Sequence, residues 1–185
     1  MLKELLLFIK KPVYEPDNNS SISQKLRIFF NLLIFALCAS FLLLSVAGIV
    51  ESLLQLEVGK HAMDDLFENY SVILIFFLVV VIAPFFEELF FRGPFIFFKD
   101  SKFFNITFYL FTIAFGFIHI NNFELNTQVL LLSPLLVAPQ LCVGFLLGYI
   151  RIKFGLVWSM FLHACYNIVL IVPVLTMQLL DISVE

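Results

Sequence analysis

Five long runs of apolar residues constrain this chain more than any other feature. A helix needs about 20 consecutive apolar residues to cross the hydrocarbon core of a bilayer. Windows of that length lie at about 28–50, 71–98, 103–120, 129–150 and 155–178. Because 62% of the residues are hydrophobic and only 14% are charged, the chain is more apolar than soluble domains are. The sequence predicts an all-α, polytopic transmembrane helix bundle of about five spans.

An N-terminal segment precedes these windows. Its first ten residues, "MLKELLLFIK", are continuously apolar only from Leu5 to Ile9 and lack a small-residue cleavage site, so they are typical of a short interfacial helix and not of a signal peptide. The polar residues 10–26 predict a solvated arm. We therefore expect a cytoplasmic or interfacial arm over residues 1–26 and one membrane domain over residues 27–185. The stretch "HAMDDLFENY" before the second window is typical of an amphipathic surface helix that connects two spans.

Basic residues concentrate in alternate loops. They lie before the first window, after the second and after the fourth, as Lys3, Lys10, Lys11, Lys25, Arg27, Lys99, Lys102, Arg151 and Lys153. The connections on the other side hold Lys60 and several acidic residues. By the positive-inside rule the N-terminus is expected to be cytoplasmic, in the cytoplasmic membrane of a bacterium. The net charge of −3 gives no support to nucleic-acid binding, so membrane lipid is the expected surrounding partner.

Few strongly polar residues interrupt the apolar windows. They are Glu87, Glu88 and Arg92 in the second window, His119 at the end of the third, and His163 and Asn167 in the fifth. An ionised side chain near the bilayer centre costs about 2.5–3.5 kcal/mol on insertion scales. Such residues usually face the bundle interior and form a functional site.

Helical spacing separates the two glutamates. Glu88 and Arg92 stand at i and i+4, which favours an ion pair along one helix face. Glu87 is rotated by about 100° from Glu88 and has no such partner. A carboxylate without a neighbouring cation is suited to act as a general base. An alternative interpretation is that all three residues form a buried ion-pair lock between helices.

The histidines repeat the i, i+4 spacing. Phe115 and His119 share one helix face, and His163 and Asn167 share another. A single buried histidine is often a hydrogen-bonded packing residue, but two histidines together with two glutamates favour a site. Straight helices would hold these groups at different depths, so convergence requires tilted helices or breaks at Pro84 and Gly93-Pro94.

The three polar patterns together resemble a known family. They are E-E-x-x-x-R at residues 87–92, F-x-x-x-H at 115–119 and H-x-x-x-N at 163–167. In this order they are similar to the signatures of the type II CAAX prenyl endopeptidase and bacteriocin-processing (CPBP) intramembrane proteases, which include lysostaphin-resistance-like members. The resemblance covers about residues 71–175. It implies an endopeptidase whose catalytic centre is Glu87, His119, His163 and Asn167, with Glu88, Arg92 and Phe115 in support.

The resemblance implies one of two mechanisms. In the favoured one Glu87, with His119, activates a water molecule, while His163 and Asn167 stabilise the oxyanion, and no cofactor is needed. In the alternative, zinc is bound by His119, His163 and Glu87. We favour the metal-free mechanism because the chain has no H-E-x-x-H motif and three-ligand zinc does not need two adjacent glutamates.

A cavity within the bilayer suits an apolar or lipid-anchored peptide substrate. Eukaryotic members of the family are longer, whereas only one span precedes the core here, so prenylated CAAX proteins are not the substrate we expect. Two other functions are compatible with the sequence: a non-catalytic bacteriocin-immunity or assembly protein, and a proton-coupled carrier. The carrier is less favoured because the chain shows no inverted repeat.

Overall fold

A computed structural model describes residues 2–55, 59 and 61–180. Its helices are α1 (Leu2–Lys10), α2 (Ile22–Leu54), α3 (Ala62–Asn69), α4 (Val72–Phe77), α5 (Ala83–Phe91), α6 (Phe104–Ile118), α7 (Thr127–Leu136), α8 (Ala138–Phe154) and α9 (Leu156–Leu179). Within the described residues, extended pairing is limited to one isolated β-bridge between His61 and Phe123. The predicted all-α class is therefore confirmed.

Five helical stretches are long and apolar enough to cross a membrane. They are Ile22–Leu54, Val72–Phe98, Phe104–Asn122, Thr127–Phe154 and Leu156–Leu179, here called spans 1 to 5. Each covers one of the five predicted windows, and span 1 extends furthest beyond its window. Span 1 begins earlier because Ser21 and Gln24 form a capping box in the polar flank. The chain is a multi-pass integral membrane protein.

The N-terminal arm contacts the bundle at a few points, while most of the residues predicted as a solvated arm, 10–26, are exposed. The backbone N–H of Asp17 donates to the Lys153 carbonyl at 3.0 Å, and the Tyr14 ring meets Phe104 edge-on at 5.5 Å. In α1, Leu5 is buried, and Phe8 packs edge-on against Phe108 and Tyr149. The arm binds because its aromatic side chains find apolar partners at this end of the bundle.

Span 2 is not a continuous α-helix. A π-helical turn (Leu78–Ile82) separates α4 from α5, and a 3₁₀ turn (Gly93–Phe98) completes the span. The buried residues of the span follow the same breaks, with one step of five residues, then steps of four, and a last step of three into the 3₁₀ turn: Ile75, Val80, Pro84, Glu88, Arg92 and Phe95. The extra residue in the π-turn thus keeps one face of the span directed at the protein interior.

Helix α8 lies at the centre of the bundle, in contact with α2, α6 and α9. Its approach to α6 depends on small residues, since a Cβ on Gly148 would lie 2.5 Å from the Phe108 ring. The turn into α9 uses Gly155, whose φ of 103° is unfavourable for other residues. Arg151 was counted as a loop charge, but it is a buried residue of α8 that donates to the Arg92 carbonyl at 3.2 Å.

The predicted amphipathic surface helix is present as α3. Met63, Leu66 and Phe67 pack on an apolar cluster formed by spans 2 and 5. At the start of the helix, the His61 ring meets Phe123 edge-on at 5.0 Å. Helix α3 therefore joins the connection after span 3 at the end of the bundle away from the N-terminal arm.

Candidate active site

Spans 2 to 5 enclose a cavity of about 350 Å³. Its wall contains Glu87 from span 2, His119 from span 3, Gln140 from span 4, and His163 and Asn167 from span 5. At one end it is bounded by the first residues of α3 and by the 3₁₀ turn His119–Asn122. The breaks in spans 2 and 3 bring the predicted acid and both imidazoles to one space, although the three lie at different positions along their helices.

Glu88 lies behind the cavity wall in a network of charged and polar groups. Its side chain is 0% exposed, and its Oε1 lies 3.1 Å from Arg92 Nη1 and 3.1 Å from His163 Nδ1. Its Oε2 accepts from the Ser159 hydroxyl. The predicted Glu88–Arg92 ion pair is present. Partners on both oxygens are what a buried carboxylate requires to remain charged away from water.

The Arg92 guanidinium is fixed from two further directions. Its Nη2 donates to the Gly144 carbonyl at 3.3 Å, and its Cζ lies 3.7 Å from the centre of the Phe115 ring. The Phe115 ring also lies close to both histidines. Its centroid is 4.9 Å from that of the His119 ring and 5.8 Å from that of the His163 ring. The Phe115 ring face thus stabilises the buried cation, and the same ring packs beside both imidazoles.

Glu87 faces the cavity and has far fewer contacts. Its side chain is 27% exposed, and Oε2 lies 3.6 Å from His163 Nε2, which is beyond normal hydrogen-bond length. Adjacent positions on a helix point in different directions. Consequently one glutamate is held in the protein interior and the next is available to a small molecule in the cavity.

His163 connects the two glutamates. Its Nδ1 faces Glu88 and its Nε2 faces Glu87. Because an ionised carboxylate accepts hydrogen bonds only, the Glu88 contact assigns a proton to Nδ1. In its doubly protonated form, the ring would also direct an N–H from Nε2 toward the cavity.

His119 is oriented by its own helix. Its Nδ1 lies 2.8 Å from the Phe115 carbonyl, one of the last carbonyls of α6. A carbonyl can only accept, so Nδ1 carries the proton and the neutral ring keeps an acceptor lone pair on Nε2. His119 can therefore accept a hydrogen bond from water or from a substrate N–H.

Asn167 is bound to the irregular part of span 2. Its side-chain Nδ2 donates to the Val79 carbonyl at 2.8 Å, inside the π-turn. The second hydrogen on Nδ2 and the Oδ1 atom remain for other partners.

Several contributors to the site were not predicted. Ser159 lies one turn before His163, so the series Ser159, His163, Asn167 at i, i+4, i+8 was a signal available in the sequence. Gln140 also lines the cavity, and its buried Oε1 has no hydrogen-bond partner in the described part of the chain. The role of the Val79 carbonyl could not be predicted from the sequence, because every residue has a main-chain carbonyl.

The zinc alternative requires Glu87 and both imidazoles to bind one ion. Within the described ranges, no group of three or more His, Cys, Asp and Glu side chains is arranged to hold a metal ion. Of the zinc ligands considered, His163 has its Nδ1 on Glu88 and its Nε2 opposite Glu87, while His119 has its Nδ1 on the Phe115 carbonyl. Such contacts on Nδ1 are also those that orient metal-bound histidines, so the zinc alternative is decided by the chelation experiment described below.

Comparison with known proteins supports the assignment of these motifs. The model of a family described as type II CAAX prenyl endopeptidase Rce1-like matches residues 69–169, more than half of the 185 residues. A search of curated proteins and a search of solved structures returned no match. The matched region includes all three motifs and the side chains that meet in the cavity. The chain therefore belongs to the Rce1-like type II CAAX prenyl endopeptidase family.

Proposed function

We propose that this protein is an intramembrane endopeptidase that uses Glu87 to activate water for hydrolysis of a peptide bond. The observation that carries the proposal is the difference between the adjacent carboxylates. Glu88 is enclosed by Arg92, His163 and Ser159, whereas Glu87 is exposed to the cavity. A base must reach its water, and Glu87 is the carboxylate that can.

The first step uses Glu87 together with His119. A water molecule in the cavity donates one hydrogen to Glu87 and the other to the free Nε2 of His119. As the water oxygen attacks the peptide carbonyl carbon, Glu87 takes the proton. Glu87 then returns this proton to the amide nitrogen, the C–N bond breaks, and a carboxylic acid and an amine leave. The carboxylate is regenerated, and no cofactor enters the sequence.

The developing oxyanion is stabilised by His163 and Asn167. His163 and Asn167 line the cavity, and the donors we assign to the oxyanion are the second hydrogen of Asn167 Nδ2 and an N–H on His163 Nε2. Donors fixed before the reaction require little reorganisation when charge develops. Glu88 fixes His163 through Nδ1, and Arg92 fixes Glu88, so these two residues act on the reaction through His163.

The substrate is an apolar or lipid-anchored peptide. Apart from the acid, imidazole and amide groups, the cavity wall includes Val79, Ala83, Val143 and Ile171, and such a wall favours apolar side chains. A peptide of this kind partitions into the bilayer, where the cavity lies. We further propose that the N-terminus is cytoplasmic, because the basic residues cluster at the end of the bundle that carries the N-terminal arm.

The proposal is tested with detergent-solubilised protein, its Glu87→Gln variant and a library of apolar peptides. Mass spectrometry should find new peptide termini with the wild-type protein, and turnover should fall by about 10²–10⁴-fold in the variant. Glu15→Gln, at an exposed position of the N-terminal arm, is the matched control and should retain activity. Cleavage that persists in Glu87→Gln would refute the base assignment. Absence of cleavage by all three proteins would favour a carrier or an immunity protein.

A chelation experiment separates the two mechanisms. Wild-type protein treated exhaustively with a chelator should keep its activity if Glu87 activates water without a metal. Recovery of a chelated, inactive sample by zinc alone would replace this mechanism with a zinc-dependent one.

A further inference from the structure

The Val79 carbonyl has lost both of the main-chain partners that a helix could give it. In an α-helix it would accept from Ala83 N–H, but that N–H donates to Leu78 across the π-turn. In a π-helix it would accept from residue 84, which is proline and has no N–H. The Asn167 side chain supplies the missing donor at 2.8 Å.

Pro84 also explains why the turn is wide. In a regular α-helix, the proline ring would press against the carbonyl of the fourth residue before it, here Val80. Opening the helix to a π-turn over Leu78–Ile82 relieves that contact. The same proline therefore widens the turn and leaves the Val79 carbonyl without a main-chain donor.

We infer that Pro84 is a positioning residue that holds Asn167 in place through the Val79 carbonyl. Asn167 lies on α9 and Val79 on span 2, so the contact joins two spans across the cavity that both residues line. With one hydrogen of Nδ2 committed to Val79, the planar amide fixes the direction of its second hydrogen. The catalytic part of this inference rests on the proposed function, whereas the geometric part does not.

An N–H at position 84 should weaken this contact. In Pro84→Ala, the new amide can donate to the Val79 carbonyl in competition with Asn167. The pressure of the proline ring that widens the turn also disappears. Asn167 would then be free to change rotamer. The expected loss is in the chemical step and not in ground-state binding, since a donor to an oxyanion acts in the transition state.

The kinetic test is a double-mutant cycle with Pro84→Ala and Asn167→Ala. Pro84→Ala alone should lower kcat by about 10–100-fold with little change in KM. In the Asn167→Ala background the same substitution should change kcat by less than about twofold, because the side chain that Pro84 is inferred to position is absent. Pro134→Ala, which removes a helix proline of α7 outside the cavity wall, is the control and should leave kcat unchanged.

The geometric test does not need a substrate. In protein labelled with ¹⁵N-asparagine, the Asn167 side-chain signals are identified by their absence in Asn167→Ala. In wild type, one hydrogen of the amide should exchange slowly with solvent, and in Pro84→Ala both should exchange rapidly. Pro134→Ala should give the wild-type result.

The outcomes of the two tests are distinguishable. Wild-type protein that cleaves no peptide contradicts the proposed function, and the exchange of the Asn167 amide still decides the geometric claim. An Asn167 amide that is equally protected in Pro84→Ala overturns the inference. Equal losses from Pro84→Ala in the presence and absence of Asn167 overturn it as well, since they show that proline acts on the reaction by another route.

Discussion

The two adjacent glutamates of span 2 occupy opposite environments. Glu88 is 0% exposed and contacts a guanidinium, an imidazole and a hydroxyl. Glu87 is 27% exposed and approaches a single imidazole nitrogen at 3.6 Å. One peptide bond separates a carboxylate in a polar network from a carboxylate at a cavity wall. The helix produces this difference by its rotation per residue alone.

Under the proposed function, this difference places a structural acid and a reactive acid side by side at one depth. The charge of Glu88 is compensated by Arg92, so its free energy depends on protein contacts. Glu87 lies at the cavity wall, and its side chain is 27% exposed. His163 contacts both residues, and through it the rigid network orients the reactive wall.

Replacing each glutamate by glutamine should separate these roles most strongly. Glu88→Gln removes one partner of a buried ion pair and leaves Arg92 unpaired, so it should lower the free energy of unfolding by about 3–5 kcal/mol. Glu87→Gln changes a partly hydrated side chain and should alter the free energy by less than about 0.5 kcal/mol. Thermal unfolding of both variants in one detergent measures the contrast.

The result bears directly on the alternative of a three-residue ion-pair lock. If Glu87→Gln destabilised the protein as much as Glu88→Gln, both glutamates would belong to the lock. The proposed division between a structural and a reactive acid would then be wrong.

Ser159 provides a smaller test of the same network. Ser159→Ala removes a donor to Glu88 and leaves its Oε2 without that partner, so it should destabilise the protein by about 1–3 kcal/mol. Ser133→Ala removes a hydroxyl that bonds the Leu130 carbonyl in its own helix and serves as the control. If thermal unfolding of the two variants were the same, the Glu88 oxygens would not depend on Ser159.

The sequence predicted the spans and the helix-face pairs because both follow from local periodicity. Apolar length fixes a membrane span, and the i, i+4 spacing of Glu88 and Arg92 fixes an ion pair. Contacts between helices were harder to predict from the sequence. Ser159 could have been found from its spacing to His163, but its bond to Glu88 joins residues 71 positions apart in the chain.

Irregular backbone was the least predictable part of the site. Pro84 and the Gly93-Pro94 pair indicated breaks in span 2, but not that the first would be a π-turn whose freed carbonyl binds Asn167. The attachment points of the N-terminal arm were not predicted, for a related reason. Its composition is polar, yet a few aromatic side chains and one backbone hydrogen bond are enough to attach it.

The smallest effect is expected at His61, a half-buried residue at the rim of the cavity, in contrast to the fully buried network around Glu88. His61 caps α3 by accepting the Met63 N–H on Nδ1 at 3.2 Å. Burial lowers the pKa of His61, and the nearby Asp64 opposes this only in part. At pH values between the lowered pKa and the ordinary value of about 6.5, the unfolded segment binds more protons than the folded one. The cap is therefore stable above this pH range and is lost as the pH falls through it.

Lowering the pH from 7.5 to 5.5 should therefore loosen the start of α3. Because a protonated Nδ1 cannot accept, loss of the cap should favour local opening by about 1 kcal/mol, a roughly fivefold rise in amide exchange. Hydrogen exchange of residues 62–66 measures this effect. In His61→Asn the cap does not titrate, so comparison of both proteins at each pH removes the intrinsic pH dependence of exchange. An equal response in the two proteins would show that α3 is held by Leu66 and Phe67 on the apolar cluster, and that the rim, unlike Glu88, is fixed by apolar packing and not by charged and polar partners.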